Sequence, residues 1–299
     1  MSDLKRTEIL FLYDVQNANP NGDPTDENKP RIDEETGLNI VTDVRLKRTI
    51  RDYLFKYKGY DGTNGKDIFI RQTFVDGKEE KGLNDAKKRA EAFKKNAEEV
   101  LKRCIDIRMF GGVIPITTGK NKDASIIFTG PVQFKMGRSL HKVKLQHLQG
   151  TGAFASKAGA AQNTFREEYI LPYSLIVFYG IINENSATET KLTNDDVELL
   201  YEAMWDGTKN LITRSKFEHT PRLLLTVTHS KTGFFIGELD RYVELKRNEN
   251  IKSDEEIRNT DDYVLDFTGL QAKIKKYEQS GSKAKVHKKC GNLHIEGLD

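Results

Sequence analysis

Four cations crowd one short segment, TDVRLKRTIRDYL (42–54): Arg45, Lys47, Arg48 and Arg51. Thr42 can cap a helix there, and Asp43 suits its positive first turn. On the helical wheel Leu46, Ile50, Tyr53, Leu54 and Tyr57 gather on one side and the four cations on the other. Guanidinium and ammonium groups in that arrangement suit phosphate oxygens, which they bind whatever the base sequence. The plainer reading is a solvated helix face. Just upstream lies NANPNGDPTDENKP (17–30), dense in turn-forming residues. Its Asn17, Asn19 and Asn21, with the exposed amides of the turn, can meet phosphate or can simply connect two elements. Asp23 in the same loop is the residue that raises hydrolysis, since a carboxylate beside a scissile phosphate can assist proton transfer or hold a metal. Pro24 follows it, and spacing assigns it no histidine or second carboxylate as partner.

The charge distribution points the same way. From Ala124 to Arg166 there are 43 residues without one Asp or Glu, where roughly six would be expected from the chain's own composition. The window keeps Lys135, Arg138, Lys142, Lys144, Lys157 and Arg166, with His141 and His147. Carboxylates repel phosphate, so a surface cleared of them fits a polyanion partner. Ser139, His141, Lys142 and Lys144 follow a strand-like run. Phe154 stands out in GTGAFASKAGAAQN (150–163) as a stacking or wedge residue, because every base offers a π-face. That small-residue stretch buries little and reads as an extended arm or a linker.

Other constellations carry less. His287, Cys290 and His294 lack a second ligand pair and make a poor zinc set. DGTNG (61–65) and MFGGV (109–113) do not match a phosphate-loop or dinucleotide fingerprint, and Gly111 and Gly112 read as a tight turn or a close approach. No Ser-His-Asp arrangement follows from spacing. We therefore expect neither metal nor cofactor. No apolar run reaches the ~18 residues of a membrane span, no signal-peptide pattern is present, and two distant cysteines suit reduced thiols in the cytoplasm.

The elements that would position these residues can be read from periodicity. RTEILFLYD (6–14) is a buried strand, followed by the loop and the cationic helix. Asn84 opens a second helix carrying Ala86, Ala90, Phe93, Ala97, Val100, Leu101 and Cys104 at three- and four-residue steps. Segments 105–116 (a strand and turn), 125–134, 168–182 (a strand or strand pair), 221–230 and 234–245 read as strands. LTNDDVELLYEAMW (192–205) is the clearest helix, with Thr193 and Asp196 as a capping pair. Trp205 belongs to its core stripe. Without insertions the order is βαββαβ, an α+β fold of RRM-like or ferredoxin-like plan with an antiparallel sheet and two helices on one face.

Taken in order, NANPNGDP, RIDEETG (31–37), VTDVRLKRTIRDYL (41–54), DIRMFGG (106–112), TGPVQF (129–134), GRSL (137–140), FREEYILPYSLIVFYG (165–180) and TRSKFEHTPRLLLTV (213–227) resemble the backbone subunits of type I CRISPR effector complexes, the type I-B branch most closely. The likeness reaches to about residue 230. It implies a subunit without catalysis that lines up with further copies of itself along CRISPR RNA and presents that guide to target DNA. Its partners would include the large subunit, the small subunit and the guide 5′-end subunit. The implied architecture is a discontinuous palm (1–58, 106–134 and 169–245), a helical fingers insertion (59–105), a thumb arm (135–168) and a basic C-terminal extension (246–299). Arg138 and Ser139, in GRSL, would be palm contacts. Related type III subunits cleave target RNA with a loop aspartate, which makes an RNA-cleaving subunit acting through Asp23 the rival reading. A general single-stranded RNA-binding protein is the other.

Overall fold

The computed structural model describes residues 4–118, 121–151, 165–279 and 283–298. Strand β1 (Thr7–Ala18) is apolar on both faces, as a central strand must be. Ile9, Phe11, Tyr13 and Val15 enter one core, and Leu10 and Leu12 another. The chain then makes a loop closed by the two-residue strands β2 (Gly22–Asp23) and β3 (Lys29–Pro30), and passes through β4 (Leu38–Val41) into α1 (Asp43–Tyr57). Thr42 caps α1 by accepting from the Arg45 amide. Three short helices follow: α2 (Ala86–Glu91), α3 (Ala97–Arg103) and α4 (Ile105–Phe110). Next come the hairpin β5 (Gly111–Thr118) and β6 (Asn121–Thr129), then β7 (Val132–Phe134), β8 (Gly137–Lys142) and β9 (Gln146–Thr151). The long strand β10 (Phe165–Ile182) leads to α5 (Glu184–Thr190), α6 (Asn194–Lys209) and β11 (His219–His229). The chain ends with β12 (Glu244–Arg247), β13 (Tyr263–Asp266), α7 (Thr268–Gln279), β14 (Ala284–Cys290) and β15 (Ile295–Glu296).

The fold is α+β around a large antiparallel sheet of order β14-β11-β1-β10-β8-β4, with β7 and β9 also pairing with β10. Helices α1 and α6 pack together on one face, where Leu46, Ile50 and Leu54 meet Val197, Leu200 and Met204 over the odd residues of β1. The Thr193–Asp196 capping box of α6 forms in full.

The opposite face is not open. Leu239, Val243, Ile257, Tyr263, Leu265, Phe267 and Leu270 cover Leu10, Leu12, Tyr173, Leu175, Leu223 and Leu225. The C-terminal region is thus a second core layer and not merely a basic extension. Its apolar residues sit in short turns and strands, where no period of two or 3.6 builds up. For the same reason 234–245 is not a strand: a 3₁₀ turn occupies Leu239–Tyr242 before β12.

Three further expectations are corrected. The helix read from Asn84 is two helices, α2 and α3, capped by Asp85 and Asn96 and separated where Lys94 and Lys95 adopt left-handed backbone (φ 56° and 51°). IDIRMF begins as helix α4, because Ile105, Ile107 and Met109 all find core on a short turn. Among the described residues, the β5–β6 hairpin, read as part of the central sheet, pairs only with itself. Its Ile114, Ile116 and Phe128 join Phe69, Phe93, Val100 and Leu101 in a separate small core. A Cβ on Gly111 would lie 2.2 Å from the Phe128 carbonyl oxygen, so this glycine is required by backbone packing within the lobe.

Candidate phosphate-binding site

Three segments meet at the end of β1: the 17–23 loop, the start of α1, and the stretch from Leu211 to Glu218 that leads into β11. Asn19 ties the first to the third, since its amide donates to Ser215 O at 2.8 Å. Its Nδ2 also donates to Asn28 O at 2.6 Å. Asn21 ties the loop to the helix by accepting from the Thr42 amide and hydroxyl at 2.8 and 2.9 Å. Both asparagines are therefore framework residues. Asn19, at 2 % exposure, is withdrawn as a direct RNA contact.

This framework gathers Arg45, Lys216 and His219. Arg45 donates from Nη2 to Thr49 Oγ1 at 3.0 Å, while its buried Nε has no partner. Among the described residues Lys216 reaches only the Ser215 hydroxyl, at 3.3 Å. His219, 4 % exposed, stacks on Tyr13 at 5.8 Å between ring centres, and its Nε2 is unpartnered. Among the described residues no carboxylate lies within ion-pair distance of these three groups. Burial, and then the neighbouring Lys216 and Arg45 charges, push His219 down to about 3. Burial and Arg45 lower Lys216, and burial lowers Arg45. Arg45 and Lys216 are thus partly buried like charges beside a neutral imidazole, an arrangement that an oxyanion at their exposed ends would relieve. The space enclosed between Arg45 and His219 is about 10 Å³, too small for a phosphate.

Beside it, Gln16, Asn17, Thr213, Arg214, Phe217 and Glu218 line an open cleft of about 390 Å³. Asn17 is exposed in left-handed backbone (φ 45°). Phe217 is 55 % exposed, which leaves an aromatic face free for a base. Arg214 pairs with Glu168 at 2.9 Å. The β9–β10 ribbon rises alongside, where Tyr169 donates to Glu27 at 2.9 Å, stacks on His147 and lies under Lys29. The acid-free window accordingly contains strands β7, β8 and β9 and the start of β10. Arg166 stands opposite Gly150 on this ribbon, and Phe154 and Lys157 lie outside the described residues.

The remaining candidates divide. Arg51 is 8 % exposed and paired with the fully buried Asp106 at 3.0 Å, so it is a core cation and not an RNA contact. The helical wheel placed it on the outer side, but α4 and the Phe69–Ile70 turn pack over that side and convert it to interior. Ser139 and His141 are corrected likewise. Ser139 Oγ accepts from the Asn39 amide and donates to His141 O. His141 accepts from the Leu175 amide at Nε2 and is stacked on Tyr173, with burial lowering its pKa. They alternate inward on β8, where Arg138 and Lys142 alternate outward. Lys47 pairs with Asp43, Arg48 with Asp52 and Arg138 with Asp33, at 2.9, 2.7 and 3.3 Å. Lys142 and Lys144 are exposed.

Asp23 accepts from the Thr25 amide and hydroxyl through one oxygen and pairs with Arg31 through the other. These bonds, those from Thr25 foremost, hold its carboxyl below the usual range. Sequence reasoning missed Lys216 and His219. They sit singly in TRSKFEHT without a charge run, and only the fold brings them to Arg45.

A family model described as CRISPR-associated protein Cas7 matches residues 5–268. The CRISPR-associated protein Cas7 of Haloferax volcanii is 32 % identical over 322 aligned positions, covering 99 % of this chain and 88 % of that protein. Two solved chains share the fold at TM-score 0.55 and 10 % identity: one from a CRISPR RNA-guided surveillance complex, pre-nicking, and one from a CRISPR RNA-guided surveillance complex. Each aligns over 98 % of this chain and at least 95 % of its own. On the family match and the identity to the Haloferax protein, this chain belongs to the Cas7 family of CRISPR-associated proteins.

Proposed function

We propose that the chain is a CRISPR RNA-binding backbone subunit of a type I surveillance complex, of the I-B branch, which packs against copies of itself along the guide and presents it to target DNA. The observation that carries this reading is the pair of partly buried like charges Arg45 and Lys216, with no carboxylate within ion-pair distance among the described residues. Phosphate contacts of this kind ignore base identity, as a carrier of variable guide sequence requires. Phe217 beside them offers a base a stacking surface. In this reading the sheet with α1 and α6 is an RRM-like palm, the Phe69–Phe93 lobe the fingers, and the β9–β10 ribbon the stem of the thumb. The large and small subunits and the guide 5′-end subunit complete the assembly, which works in the cytoplasm.

The subunit performs no chemistry of its own. Asp23, the candidate for RNA cleavage, has both carboxylate oxygens engaged by Thr25 and Arg31.

The test is co-purification. The wild-type chain, expressed with a CRISPR array and its partner subunits, retains small RNA of uniform length. The Arg45→Glu/Lys216→Glu variant, folded by circular dichroism, loses it. Undiminished RNA in that variant would overturn the site. Regularly spaced cleavage of complementary RNA with magnesium, abolished by Asp23→Ala, would establish the catalytic reading instead.

A further inference from the structure

Beyond β11 the sheet terminates in β14, whose Cys290 end stands opposite Leu223, about 13 Å along β11 from His219, and whose Ala284 end stands opposite His229, about 33 Å away. Gly291 N donates to Arg222 O and Ser230 N to Lys283 O, at 2.8 and 2.9 Å, at the two ends of the β11–β14 ladder. Within it Leu224, Thr226 and Thr228 stand opposite Lys289, His287 and Lys285. Hydrogen-bonded pairs alternate along an antiparallel ladder. Counted from the two end bonds, Lys285, His287 and Lys289 turn their main chain toward β11. Val286, Lys288 and Cys290 therefore turn N–H and C=O outward, and among the described residues no strand pairs with that side.

The side chains of Lys285, His287 and Lys289 enter a groove of about 620 Å³ between the sheet and α6. Leu224, Thr226 and Thr228 form its floor, and Val197, Tyr201 and Glu198 belong to its helical wall. Glu202 in that wall is already paired with Lys58. From Thr268 to Gly291 there are seven lysines and a single carboxylate, Glu278.

A free edge and an adjoining groove whose sheet side carries Lys5, Lys285 and Lys289, facing Glu198 and the Lys58-paired Glu202 on α6, together select an occupant. A second copy of β14 is disfavoured, because antiparallel pairing would set lysines and histidine against their like. A phosphodiester chain matches outward N–H groups but presents further acceptors to the outward C=O groups. An extended peptide offers both donors and acceptors at strand spacing, and acidic side chains at alternate positions would meet Lys285 and Lys289. We propose that β14 is an acceptor edge for an extended acidic segment of a different protein chain, which adds a strand to the sheet and seats alternate side chains in the groove beside α6.

The experiment titrates the full chain with a labelled peptide of about eight residues alternating Glu and Val, followed by fluorescence anisotropy and amide hydrogen exchange. Saturable binding with new protection at the Val286 and Lys288 amides is expected. Affinity should fall about tenfold or more in Val286→Pro, which removes an outward donor, and in Lys285→Glu/Lys289→Glu. The same peptide N-methylated on alternate amides should also lose binding, a comparison that leaves the protein unaltered should a variant fail to fold. Equal binding of the methylated peptide would reduce the effect to bulk charge and overturn the proposal. So would preferential protection of those amides by a single-stranded oligonucleotide, or their protection by self-association as the chain is concentrated.

Discussion

Asp106 anchors the lobe to the sheet domain, and its removal gives the sharpest test of how the cationic helix is used. The carboxylate is fully buried and accepts from Arg51 Nε at 3.0 Å and from the amides of Phe69 and Ile70 at 2.7 and 3.0 Å. Arg51 also lies over the Phe110 ring at 5.1 Å. Asp106→Ala strands a buried guanidinium, at about 3–5 kcal/mol for a broken buried pair. Two amides lose their acceptor as well, at about 1–3 kcal/mol each when nothing replaces it. These costs overlap because the lobe will loosen to admit water, so we expect about 4–5 kcal/mol in all. With an unfolding entropy of ~2.1 cal/mol/K per residue over 299 residues, that lowers the thermal midpoint by about 6–8 °C. Calorimetry or denaturant unfolding reads it directly. The companion variant Arg51→Met/Asp106→Leu removes both charges and should recover most of the loss. It separates structure from binding: if Arg51 only holds the lobe, the double variant retains RNA. A stably folded double variant that had lost RNA would refute the assignment of Arg51 to the interior, and a loss below about 1 kcal/mol in Asp106→Ala would refute the energetic argument.

Lys216→Met should lower RNA affinity about tenfold or more while leaving the free chain as stable or slightly more so, because it relieves repulsion with Arg45; filter binding beside thermal unfolding checks the opposed signs. His219 and His141 have pKa values lowered from 6.5, His219 to about 3, so the unfolded chain binds more protons below pH 6.5. Their stabilising contribution is complete above that pH and is lost as pH falls toward the folded values, by up to about 1.4 kcal/mol per pH unit per group. His219→Phe should flatten the acid limb of a stability–pH curve between pH 6.5 and about 4. Truncation after Gly233 uncovers Leu10, Leu12, Tyr173, Leu175, Leu223 and Leu225, worth about 2 kcal/mol each. The shortened chain should therefore be insoluble, and a soluble, cooperatively folded 1–233 fragment would contradict the second core layer.

The strands and helices with long, regular patterns were legible. β1 and β10 showed as apolar runs, and α6 showed as a helical stripe with its capping box spelled out. What sequence could not supply was which side of an amphipathic element another segment would cover. Arg48 and Arg51 lie on one outer arc of α1 by the wheel, yet one is exposed and the other sealed under the lobe by contacts 55 residues away. His141 and Lys142 are neighbours in sequence, but a strand sends them to opposite faces, so a polar run on β8 was half interior. The candidate phosphate site was half legible for the same reason. Arg45 sits in a visible charge cluster, whereas Lys216 and His219 become its partners only because Asn19 holds Ser215 against the loop.

The covered second face changes where a nucleic acid can lie. In an open βαββαβ sheet the face opposite the helices is free to carry stacked bases. Here Tyr263, Leu265, Phe267 and Leu270 fill that face. Tyr263 is further held by Tyr173, which with Arg222 donates to the buried Asp14. Displacing this layer would expose a core and strand a carboxylate, so it cannot act as a lid. On the proposed function, a guide strand would follow the margin of the sheet, across the ends of β1 and β11 where Arg45, Lys216 and Phe217 gather, and along the β9–β10 ribbon. The carboxylate-free window contributes exposed basic residues, Lys142 and Lys144 around the end of β8 and His147 on β9. On that reading the depletion of acid in sequence marks an edge rather than a face, which fits its spanning several strands while His141 and Ser139 stay buried among them.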